Sequence, residues 1–161
     1  MDDIEEKIKN FNKTIDNWIS EHKIDYGSKI NDDQFKETCR IMNFTKDDLK
    51  TISSIDAQIA IYNLNQYLHY LHVVVDREKA VKAWVDQTIG YIVSGSKLDK
   101  YMKWEEKYHM AIRNHSSGLK LQILKTTAEA RILSGGSSIN TTQNAIKALE
   151  NIGRSRSYDR S

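Results

Sequence analysis

Residues 53–94, SSIDAQIAIYNLNQYLHYLHVVVDREKAVKAWVDQTIGYIVS, contain no proline and a single glycine, Gly90. Apolar side chains recur at alternating steps of three and four through Ile61, Leu64, Leu68, Leu71 and Val75, then Val81 or Lys82, Val85, Thr88 and Ile92. That spacing predicts one long helix with a buried seam. Ser53 with Asp56 is an N-terminal capping box by residue type, and Gly95 is a C-terminal stop. At 1.5 Å per residue the helix is about 60 Å long, which requires a second long helix laid against it.

The composition agrees. Among 161 residues there is no proline, only 7 glycines and 29% charged side chains, so the turn punctuation an all-β chain needs is missing. The class is all-α. A chain of this length buries roughly two thirds of its unfolded surface without a staple. The lone cysteine, Cys39, forms no internal disulfide. No signal-peptide pattern opens the chain, and no apolar run approaches the roughly 18 residues of a spanning helix. These points predict a protein that does not enter a membrane and works in the cytoplasm, that of the host cell if the chain is viral.

Working outward, residues 2–21 place Ile4, Ile8, Phe11, Ile15, Trp18 and Ile19 on one stripe behind an acidic first turn, an amphipathic helix. Beyond Tyr26-Gly27-Ser28, a short helix from Asn31 or Asp32 is expected to bury Phe35, Cys39 and Met42. Thr45 and Asp48 cap another. On the far side, SGSKLD (94–99) returns the chain into an antiparallel helix whose inward stripe reads Leu98, Tyr101, Glu105, Tyr108, Ile112, His115, Leu119, Ile123, Thr126, Ala130 and Leu133, interrupted at Ser116-Ser117-Gly118 by a kink or a split in two. Such a return brings Val75 near Leu119. Ser134-Gly135-Gly136-Ser137-Ser138 then ends that helix, and a shorter one buries Ile139, Ala145, Ile146, Leu149 and Ile152. The expected architecture is thus a long antiparallel helical hairpin with smaller N-terminal helices and a short C-terminal helix. Its segments are an N-terminal helical part (1–52), the hairpin core (53–153) and a basic flexible tail (154–161).

No active site, cofactor or bound metal is expected. Cys39, among Phe35, Met42 and Phe44, reads as a small buried hydrophobe, and no Gly-flanked serine or phosphate-cradling glycine loop is present. His69, His72 and Asp76, with Glu106 and His109, have helical spacing for metal ligands. A di-iron bundle, however, uses two Glu-x-x-His motifs, and only one is present. Charge is divided unevenly: up to residue 96 there are 12 Lys and Arg against 16 Asp and Glu (−4), and from residue 97 there are 12 against 6 (+6). The basic half either attracts an acidic partner or answers the acidic half across the hairpin.

Lys97, Lys100, Lys103 and Lys107 interleave with Tyr101, Trp104 and Tyr108, a mixture that binds single-stranded nucleic acid through phosphates and stacked bases. Lys79 and Lys82 beside Trp84 form a second such patch, and Arg154 and Arg156 in the tail a third. The alternative is that the rings belong to a core stripe and the lysines flank it.

A long helix with the basic run REKAVKAW (Arg77 to Trp84), closing on YIVSG (Tyr91 to Gly95) and followed by a loop, a return helix and a terminal helix, resembles the UvsY-type recombination mediators of tailed phages. The resemblance covers roughly residues 57–153. It implies a small, helical, oligomeric protein that binds single-stranded DNA and helps load a recombinase, with Lys79 and Lys82 in its DNA-contacting stretch. The segment before Ser53, the GGSS run and the Arg-Ser tail depart from that layout. The expected function is therefore a non-enzymatic DNA-associated accessory protein that self-associates. The alternatives are a protein-binding adaptor or inhibitor without nucleic-acid contact, and a metal-dependent helical-bundle enzyme.

Overall fold

The computed structural model describes residues 3–22, 29–97 and 101–158, without the side chains of 155–158. Every regular element among them is a helix: α1 (Asp3–Glu21), α2 (Asp32–Met42), α3 (Lys46–Thr51), α4 (Ser54–Gly95), α5 (Trp104–Asn114) and α6 (Gly118–Tyr158). The long helix α4 packs against α6 in the manner of a hairpin.

Caps set the helix starts. The Ser53 hydroxyl accepts from the Asp56 amide at 3.0 Å and donates to its carboxylate at 2.6 Å, opening α4 where the capping box placed it. Asn31 and Gln34 cap α2 reciprocally, and Thr45 and Asp48 do the same for α3. No proline interrupts α4 thereafter, and it runs for 42 residues.

The chain divides into two compact units, Met1–His22 with Asp76–Leu133, and Lys23–Val75 with Ser134–Ser161. In the first unit the core joins Ile4 of α1, Val81, Val85, Ile89 and Val93 of α4, Ala111 and Ile112 of α5, and Leu121 and Ala128 of α6. Ion pairs Glu78–Arg131, Lys82–Glu129 and Asp86–Lys125 descend along α6 as they ascend α4, so the two runs are antiparallel. In the second unit Ile41 of α2 and Ala60 and Leu64 of α4 pack with Ile146 and Leu149 of α6, and Phe44, Leu49 and Ile52 close round them. Here too the direction is antiparallel, because Val75 meets Gly135 while Leu64 meets the later residues.

Several sequence expectations are corrected. The SGGSS run does not end a helix; α6 continues through it to Tyr158, so residues 154–158 are helical rather than a flexible tail. The reason is close approach: a Cβ on Gly135 would lie 2.3 Å from Cγ2 of Val75, a contact only glycine permits. Val75 therefore meets Gly135 and not Leu119.

Of the two outcomes open for the return element, a kink or a split, the structure has the split: His115, Ser116 and Ser117 separate α5 from α6. A Cβ on Gly118 would sit 1.9 Å from the Ile112 carbonyl oxygen, so glycine is also required where α6 leaves α5. The break resets the helical phase. Leu121 and Ala128 face inward, while Leu119, Ile123 and Leu133, expected in the core, are 69%, 57% and 78% exposed. Near the end of α4 the seam passes through Ile89 and Val93 rather than Thr88 and Ile92. In α1, Trp18 turns outward and stacks on His22. In α2, Thr38 and Ile41 are buried and Cys39 and Phe35 are exposed, the Phe35 ring touching Tyr67. Leu98 lies outside the described residues.

Candidate nucleic-acid interface

The basic residues of α4 are held inside the protomer. Lys79 Nζ donates to Asp76 at 2.8 Å, one turn back. Lys82 donates to Asp86 at 2.6 Å and lies 3.5 Å from Glu129, while Lys125 reaches the other oxygen of Asp86 at 2.7 Å. This four-membered network joins α4 to α6. Its hydrogen bonds to Asp86 raise Lys82 and Lys125 above the ordinary lysine value. Burial pushes Asp86 up, but the hydrogen bonds from Lys125 and Lys82 outweigh it, and its carboxyl ends below the usual aspartate value. Trp84, expected beside these lysines on an open surface, is half-buried with its ring stacked on Phe11 at 5.7 Å. The three residues of the expected α4 patch are thus two ion-paired cations and a half-buried ring.

The turn from α4 into α5 is different. Tyr101 is 96% exposed and Trp104, the first residue of α5, is 62% exposed. Lys97 and Lys103 are exposed beside them, and Lys107 follows Lys103 by one helical turn, half-buried. Spacings of three and four place Trp104 and Lys103 on the same side of α5 as Lys107. Glu105 and Glu106, adjacent in the first turn, point roughly 100° and 200° away from Trp104 around the helix. Tyr108 is drawn inward instead, half-buried against the core with the Lys125 ammonium 6.0 Å from its ring centre. Lys100 and the side chain of Arg156 lie outside the described residues, and Arg154 is exposed on α6.

One feature of the first unit escaped the sequence reading. A cleft of about 430 Å³ is lined by Lys7, Lys120, His115, Ser116, Ser117 and the Tyr91 ring over a floor of Ile4 and Ile92, with no carboxylate in its wall. Glu5 pairs with Lys120 at 2.6 Å, and that hydrogen bond holds its carboxyl below the usual glutamate value. Residues from α1, α4 and α6 meet there only through tertiary packing, so no local motif could announce it.

Among the described residues no three of His, Cys, Asp and Glu come together where they would hold a metal ion, His69, His72, Asp76, Glu106 and His109 included. No described helix is long and apolar enough to cross a membrane. No protein-family model, curated protein or solved structure matches the chain.

Proposed function

We propose that this chain is a non-enzymatic accessory protein that holds single-stranded nucleic acid at the turn between α4 and α5, with recombination mediation as the finer form of that role. The observation that carries the reading is the exposure of Tyr101 and Trp104 among Lys97, Lys103 and Lys107. Large rings in water leave apolar area unburied. A base stacked on either ring covers that area, and the neighbouring ammonium groups answer the phosphates that come with it. The lysines of α4 are not part of this reading, because Asp76, Asp86 and Glu129 already neutralise them.

The test is fluorescence anisotropy of a labelled single-stranded oligonucleotide from low to physiological salt. Neutralisation of phosphates by the turn lysines gives a slope of about −2 to −3 in log K against log salt. Changing Lys97, Lys103 and Lys107 together to alanine flattens that slope, and Trp104→Ala weakens binding roughly 10-fold without changing it. Changing Lys79 and Lys82 leaves both unchanged. Absence of binding at low salt refutes the reading.

A second reading, a protein-binding adaptor or inhibitor, is favoured by the exposed Ile55, Ile59 and Tyr62 near the start of α4, at 70%, 52% and 63%. Their spacing of four and three places them on one helical face. Under that reading Ile59→Glu abolishes partner binding while oligonucleotide binding is absent throughout.

A further inference from the structure

The first part of α6 is apolar on two opposite faces. Leu121 and Ala128, with Leu124, point into the core of the first unit. On the other side Leu119, Ile123 and Leu133 are 69%, 57% and 78% exposed, and Thr126 and Ala130 between them are exposed as well. The outer series advances by four, three, four and three residues, a strict seven-residue repeat. A 3.5-residue repeat is the seam of one helix supercoiling on another. Thr126 fits such a seam, since its hydroxyl donates to the Gln122 carbonyl at 3.0 Å and brings no unmet polar group into the contact.

The charges bordering the seam indicate what covers it. Lys120 is paired with Glu5, Lys125 with Asp86, Glu129 with Lys82, and Arg131 with Glu78, each within the protomer. The border therefore offers neither a phosphate backbone nor a strongly charged protein anything to answer. A two-fold contact sets a surface against its own copy and is possible only where that surface does not repel itself. This surface meets that condition. In a parallel pair each seam residue meets its own copy; in an antiparallel pair Ile123 meets Leu133 and Thr126 meets Ala130, with Leu119 left at the edge of the contact opposite Ser137.

We infer that the outward face of α6 from Leu119 to Leu133 is the self-association surface of this protein, occupied by the same face of a second copy. The inference does not depend on nucleic-acid binding. Fifteen residues of helix span roughly 21 Å and, on a cylinder about 10 Å across, present on the order of 200 Å² to a partner, well short of the roughly 800 Å² per partner of a standard stable interface. Association is accordingly concentration-dependent.

Sedimentation equilibrium of the full chain from about 5 to 500 μM, with no nucleic acid present, tests it. The average mass rises from the 18.6 kDa monomer towards twice that value. Ile123→Glu with Leu133→Glu holds the mass at the monomer value across the range, with an unchanged helical circular dichroism spectrum, as expected for exposed positions. Ile55→Glu with Ile59→Glu, a control on the other exposed stripe, leaves association as in the wild type. A wild type that stays monomeric at every concentration overturns the inference, as does a seam variant that still associates or loss of association in the control pair alone.

Discussion

Replacing Gly135 and Gly136 by alanine, one at a time, applies the same chemical change to adjacent positions of α6 and yields opposite signs. Alanine relieves the backbone entropy that glycine loses inside a helix, a gain of about 0.5–1 kcal/mol at either site. At Gly136 nothing lies within 4 Å of the new methyl, so the gain is kept. At Gly135 the methyl lands 2.3 Å from Cγ2 of Val75, a β-branched side chain only 4% exposed and without room to turn aside. Overpacking of that kind costs about 1–3 kcal/mol, which outweighs the propensity gain. Thermal unfolding followed at 222 nm is expected to show Gly136→Ala melting about 2 °C or more above wild type and Gly135→Ala several degrees below it. In a Val75→Ala background the clash is gone and Gly135→Ala becomes stabilising, giving a coupling of about 1–3 kcal/mol. Equal shifts at the two glycines, or stabilisation by Gly135→Ala in the wild-type background, would refute a continuous α6 pressed on Val75.

Three further expectations rest on other parts of the molecule. The lowered pKa of Asp86 contributes stability that is present above its unfolded value of about 3.9 and lost as pH falls through the folded value. Asp86→Asn therefore flattens the loss of stability below about pH 4, by under about 1 kcal/mol because the group is partly solvated, whereas an unchanged acid profile would contradict the network. Lys82 and Lys125, raised by the same contact, contribute stability that is lost only above about pH 10.4. Cys39 is exposed, so Ellman's reagent should titrate it in the native protein without a lag for unfolding; a rate limited by global opening would place it back in the core.

The long helix was legible in residues 53–94 because cap, seam and the absence of breakers all agree there, and tertiary packing had nothing to override. The return helix was not, for two physical reasons. Ser134-Gly135-Gly136-Ser137-Ser138 has the composition of a turn, and the penalty of two helical glycines is set aside by a contact, Gly135 on Val75, that no local pattern reveals. The break at residues 115–117 restarts the angular count, so a stripe extrapolated across it marked the outer face of α6 as the inner one. Of the candidate site, Tyr101 and Trp104 stood out by type and spacing; both are exposed, although the inward stripe read from the sequence had included Tyr101. The engagement of Lys79 and Lys82 was half-visible in Asp76 and Asp86, three and four residues away on the same face. Glu129 and Lys125 join that network through tertiary packing alone.

The most direct test of strand binding at the α4–α5 turn uses 5-fluorotryptophan in place of the three tryptophans, Trp18, Trp84 and Trp104. Each gives one ¹⁹F resonance, assigned by single Trp→Phe variants. Titration with a single-stranded oligonucleotide at low salt is predicted to shift the Trp104 resonance progressively, as stacking covers its exposed ring, while Trp84 against Phe11 and Trp18 against His22 stay in place. A Trp104 resonance that does not move under conditions where the oligonucleotide is bound would contradict the placement of the interface at this turn.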